Sequence, residues 1–89
     1  MGLSNEQKKP ILEKAIELLP KQYLMCSAIT EAAVLCGIPK EDAKDAFKVI
    51  PELMLYMPEV KVTKHIWFHT DTEGYNKRIN ILTEIYNQL

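Results

Sequence analysis

The chain is expected to fold as a mainly α-helical domain with a small β component, in which two central helices meet at a tight turn and a further helix closes the C-terminus. Three observations predict this. Apolar residues recur at helical spacing over most of the 89 positions. One stretch, 60–70, switches to a period of two. A single glycine, Gly37, falls between two helical runs, where a helix end needs it.

The first helix opens on a Ser4-x-x-Gln7 capping box and carries an apolar face of Ile11, Leu12, Ala15, Ile16 and Leu19 before Pro20 ends it. Pro10 falls within this run: either the first turn is kinked there or the regular helix starts at Pro10. Tyr23-Leu24-Met25 is short, apolar and uncapped, which suits a short strand or an extended connector. A second helix should then run from about Ser27, a good N-cap type, to Cys36. Gly37 follows as the left-handed C-cap residue, with Ile38 as its hydrophobic contact. Pro39 restarts a helix at its first position, and Glu41 and Asp42 place negative charge where the helix dipole favours it.

The third helix carries Ala43, Ala46, Phe47, Ile50, Leu53, Met54 and Met57 at helical spacing, and the period runs straight through Pro51. That pattern favours a kinked helix, or two helical pieces meeting at Pro51, over a stop at Val49. Pro58 closes the segment. From Val60 to Thr70 the alternation puts Val60, Val62, Ile66 and Phe68 on one face of a strand, with Lys64 interrupting that face. Lys61, Thr63, His65, Trp67 and His69 lie on the other. A second capping box, Thr70-x-x-Glu73, starts the final helix, which should run to about Gln88. Tyr75, Ile79, Leu82, Tyr86 and Leu89 form its seam, flanked by Ile81 and Ile85. So broad a stripe is read in two ways: as a homodimer interface, or as a face that a monomer takes wholly into its core.

Composition bounds the function. At 89 residues the chain is read as one domain, 1–89, because so short a chain cannot divide its core. Apolar residues make up 47% and charged residues 26%, enough of each for an ordered fold. Lys plus Arg number 11 against 12 Asp plus Glu, so the net charge of −1 exerts no global pull toward nucleic acid or an anionic membrane. Arg78 is the one arginine, which leaves little for bidentate reading of bases or phosphates. No apolar run approaches the roughly 18 residues a membrane span needs, and no leader pattern is present, so the chain is expected to be cytoplasmic. Cys26 and Cys36, ten residues apart on one helix, would lie about 15 Å from each other and cannot pair. They read as reduced, buried thiols.

Candidate chemistry is sparse. His65 and His69 share a strand face but stand about 13 Å apart, too far to ligate one ion, and no carboxylate or thiol cluster completes a shell. No spacing supports a Cys–His nucleophile pair, and Gly2, Gly37 and Gly74 are scattered too widely for a phosphate loop. Neither an enzyme nor a bound cofactor or metal is expected. Trp67, flanked on its polar face by His65 and His69, reads in two ways: as a side chain that the last helix covers, or as an anchor for a protein partner. Lys61, Lys64, Lys77 and Arg78 form the one basic patch available, a solvated face or a footprint for phosphate or an acidic protein.

The order of elements, and Ala33, Gly37, Ile38, Ala43 and Ala46 within the 29–49 stretch, resemble the winged helix-turn-helix family. The small residues would let two helices approach closely while Gly37 supplies the positive φ of the turn and Ile38 plugs the angle. The resemblance covers about a quarter of the chain. It implies a wing and a recognition helix, hence a sequence-specific DNA-binding regulator as one reading of function. Two features depart from the pattern. Positions 60–70 hold no Gly, Asn or Asp to turn a hairpin, and the would-be recognition helix exposes Lys40, Glu41, Asp42, Lys44, Asp45 and Lys48, half of them acidic. A regulator, adaptor or inhibitor that binds another protein through a helix-turn-helix-like scaffold is therefore the favoured expectation, with DNA binding the alternative.

Overall fold

A computed structural model of the chain describes residues 2–21, 25–56 and 72–89, and these are mainly helical. Helix α1 (Asn5–Leu18) runs into a 3-10 turn (Leu19–Lys21), and α2 (Met25–Leu35) follows. Two one-turn helices, α3 (Lys40–Ala43) and α4 (Ala46–Val49), lead to a 3-10 helix (Pro51–Tyr56), and α5 (Thr72–Gln88) completes the order. No strand occurs among the described residues. The expected Val60–Thr70 strand, and with it the β component and any wing, lies outside them.

The capping box of α1 forms in both directions: Gln7 donates its N–H to Ser4 Oγ at 3.2 Å, and Ser4 donates its N–H to Gln7 Oε1 at 2.9 Å. Two orphan donors are thereby satisfied. The helix begins at Asn5 and passes through Pro10, whose missing N–H forfeits a single bond to the Glu6 carbonyl and whose ring stays exposed. Of the two alternatives for Pro10, a regular start there is thus excluded. Leu19 still donates to the Ala15 carbonyl, and at Pro20, which has no N–H to give, the chain tightens into the 3-10 turn.

Helix α2 starts earlier than Ser27, which is an exposed residue inside it and not its N-cap. The reason lies in burial: Met25, Ala28, Ile29, Ala32 and Ala33 form one stripe at spacing 3, 1, 3, 1, and Met25 reaches the core only if the helix already includes it. At its far end Gly37 has φ 96°, Ile38 donates to the Ala33 carbonyl at 3.0 Å and Gly37 to the Val34 carbonyl at 3.0 Å. This pair of bonds is the Schellman termination that the Gly37-Ile38 dipeptide predicts.

The expected third helix is instead three short pieces. Lys44 closes α3 by donating to the Lys40 carbonyl at 3.1 Å, and Asp45 then turns extended and accepts from the Phe47 N–H at 3.0 Å, starting a new helix. An Asp that can satisfy an orphan donor competes with helix continuation. Ile50, forced from the helical region by the following proline, sits at φ −126° and ψ 83°, and the 3-10 helix resumes at Pro51. Apolar phase nevertheless survives these breaks, for Ala43, Ala46, Ile50 and Leu53 are all buried.

One core joins every helical element. Helix α1 contributes Ile11, Leu12, Ala15 and Leu19 and packs chiefly on α2, whose alanines permit close approach, and then on α5. Ile81, Leu82 and Ile85 enter that core from α5, whereas Ile79, Tyr86 and Leu89 are half-buried at its edge. The sequence-based seam is thus rotated: residues assigned to its flank are core, and residues assigned to its centre are partly solvated. Leu82 alone among the seam residues is wholly buried among those described; the Tyr75 side chain lies outside the description.

Candidate functional site

Two surfaces stand out once the core is assigned. The first is the 3-10 helix Pro51–Tyr56, which is anchored from several sides. Leu53 is buried, Lys8 of α1 pairs with Glu52 at 3.0 Å, and Gln88 Nε2 of α5 donates to the Tyr56 hydroxyl at 3.2 Å. The Lys8–Glu52 pair is largely sheltered, with side chains 10% and 25% exposed. Met54 is 59% exposed and its neighbour Leu55 is 74% exposed, an adjacent apolar pair facing water. The helical period had assigned Met54 to the core; breaking the helix at Ile50 and Pro51 and tightening it to 3-10 geometry changed its direction.

The second is an open depression of about 600 Å³ between α2 and α3. Helix α2 lines it with Cys26, Ser27, Thr30, Glu31 and Val34, and α3 with Lys40 and Lys44, the cap residue at its end. Four residues apart, the two lysines share one side of α3, while Glu41 does not line the depression. The break at Asp45 also ties that carboxylate to the start of α4. Cys26 is half-buried and Cys36 exposed, so the expectation of two buried thiols is corrected; Cys36 sits in the turn, past the last buried position of α2.

Of the residues singled out by sequence, Trp67, His65, His69, Lys61 and Lys64 lie outside the described residues. Lys77 is exposed, but Arg78 is only 7% exposed, so it belongs to the buried face of α5 and is no part of a solvated basic patch. Its position three residues before Ile81 and four before Leu82 places it on the core stripe. The α5 residues Ile81, Leu82 and Ile85 are likewise spent on the chain's own core. Even the half-buried edge is engaged by α1: the Tyr86 hydroxyl donates to Glu13 at 3.3 Å, Lys9 Nζ lies 5.8 Å from the Tyr86 ring, and Asn5 donates to the Leu89 carbonyl at 3.5 Å. An α5-to-α5 interface would have to be made without Ile81, Leu82 and Ile85, from the half-buried Ile79, Tyr86 and Leu89 among the described seam residues.

Among the described residues no group of three or more His, Cys, Asp or Glu side chains could hold a metal ion, and no helix is long and apolar enough to cross a membrane. Comparison with protein-family models, with curated proteins and with solved structures finds no match to this chain.

Proposed function

We propose that the chain is a non-enzymatic, cytoplasmic regulator, adaptor or inhibitor that acts by binding another protein through its helix-turn-helix-like scaffold. The observation that carries this reading is the exposed Met54–Leu55 pair, held outward on a 3-10 helix anchored to α1 and α5. Apolar side chains fixed in water gain most when a partner covers them, and the anchoring lowers the entropy lost on binding. Near-neutral charge supports the same reading over a phosphate-directed one, as does the removal of Arg78 from the solvated surface. Trp67, with His65 and His69, lies outside the described residues and stays a second candidate anchor on the sequence pattern alone.

A DNA-binding regulator on a winged-helix-type scaffold is the alternative function, and it rests on the sequence pattern of Ala33, Gly37, Ile38, Ala43 and Ala46. Salt separates the two. Affinity capture with the tagged chain from its host cells should retain a protein partner at both low and high salt, and Leu55→Glu or Trp67→Ala should release it. Capture of duplex DNA that weakens steeply as salt rises, unaffected by Leu55→Glu, would replace the proposal with the DNA reading.

A further inference from the structure

Two methionines fall among the described residues, and they differ in their access to water. Met25 is 1% exposed, on the α2 stripe that enters the core, whereas Met54 is 59% exposed on the 3-10 helix. Peroxide oxidises a thioether sulfur where it can reach it, and the sulfoxide that forms is polar where the thioether was apolar. At Met54 that change falls on the surface shared with Leu55, itself 74% exposed. We propose that Met54 is a reversible oxidation site, at which peroxide places a sulfoxide on the Met54–Leu55 surface and so turns away the partner that surface binds. The sulfur gives an electron pair to one peroxide oxygen; the O–O bond breaks, an S–O bond forms and water leaves. A methionine sulfoxide reductase reverses the step, oxidising two thiols to a disulfide and releasing the oxygen as water.

The fold separates the effect of oxidation on this surface from its effect on stability. Leu53, the Lys8–Glu52 pair and the bond from Gln88 to the Tyr56 hydroxyl hold the 3-10 helix, and none of them involves the Met54 side chain. Met54 lies outside the core cluster, so its sulfoxide oxygen stays hydrated. At Met25 the same oxygen would be buried away from water, and peroxide reaches that sulfur only when α2 opens. The other described sulfur atoms, the half-buried Cys26 and the exposed Cys36, belong to α2 and to the turn after it, not to the 3-10 helix. The inference rests on the reading that the Met54–Leu55 surface binds protein and adds a regulation of that surface.

Dilute hydrogen peroxide applied to the Cys36→Ser chain, which lacks the exposed thiol, tests it in three measurements: peptide mapping by mass spectrometry, thermal melting and retention on an octyl resin. Met54 should be oxidised at least about tenfold faster than Met25, with the melting temperature unchanged and the retention reduced. Met54→Leu should keep its retention through the same treatment. Met54→Gln, polar and of similar length, should show the reduced retention without peroxide, and methionine sulfoxide reductases should restore the oxidised chain. Equal oxidation of Met25 and Met54, melting of the fold once Met54 is oxidised, or an equal fall in retention for Met54→Leu would overturn the proposal. Affinity capture separates this proposal from the reading beneath it. If the oxidised chain keeps a partner that Leu55→Glu releases, the switch falls and the protein-binding function stands; if Leu55→Glu releases nothing, both fall.

Discussion

Helices α1 and α5 behave differently from the 40–56 region, although all three have apolar residues at helical spacing. In α1 and α5 the period coincides with unbroken helix. Between Lys40 and Tyr56 the same period spans two one-turn helices and a 3-10 helix, with non-helical backbone at Asp45 and Ile50. The difference shows that periodicity reports which positions face a core, not whether hydrogen bonding is continuous between them. Continuity is decided residue by residue, by whether a side chain such as Asp45 or a ring such as Pro51 offers the backbone a competing arrangement.

That comparison can be broken most directly in α5. Leu82→Ala should cost about 3 kcal/mol, and Ile85→Glu should abolish the folded state instead of yielding a folded monomer, because both side chains are wholly buried. Urea denaturation measures the first, and sedimentation with circular dichroism the second. A folded, monomeric Ile85→Glu chain would restore the dimer stripe. Lys8→Met probes the link between α1 and the 3-10 helix; it strands Glu52 in a partly sheltered site and should cost about 1 to 2 kcal/mol. Adding Glu52→Gln should recover part of that loss, and a full double-mutant cycle would show whether the pair couples the two regions.

Smaller effects sharpen the turn and the breaks. Gly37→Ala should destabilise by about 1 kcal/mol from backbone strain alone, since a Cβ there would meet nothing within 4 Å. An unchanged denaturation midpoint would remove the left-handed turn. Asp45→Ala should cost about 0.5 to 1 kcal/mol by deleting the cap of α4, and amide exchange at Phe47 should rise with it. A stabilised chain would mean that the break is imposed by packing and not by the Asp45 side chain. Leu55→Glu should leave the melting temperature within error, as the side chain projects into water.

Much of the helical core was legible. The Ser4–Gln7 box, the Ile11, Leu12, Ala15 and Leu19 face, and the Gly37-Ile38 termination are local arrangements that neighbouring residues impose on one another. Misreadings arose where two local signals competed. Ser27 is a favoured cap, but the core takes Met25 and draws the helix start past it. Tyr86 belongs to an attractive 4, 3, 4, 3 seam, but the residues α5 buries in the core are Ile81, Leu82 and Ile85, with Tyr86 half-buried at the edge. The candidate surfaces were less legible still. Nothing in the order Lys40, Glu41, Asp42, Lys44 says that the lysines line one depression with Val34, and nothing around Met54 distinguishes it from its buried neighbours.

By itself, then, the sequence determined the helical character, the Ser4–Gln7 cap, the turn at Gly37 and the near-neutral charge that argues against a phosphate-driven partner. Each depends on side chains within a few residues of the backbone they act on. Tertiary structure alone decided which side of α5 is core, that Arg78 is buried, that Met54 and Leu55 face outward, and that Lys40 and Lys44 stand across from α2. These are relations between segments remote in the chain, and they follow from how α1, α2 and α5 share one small core, which no local preference specifies.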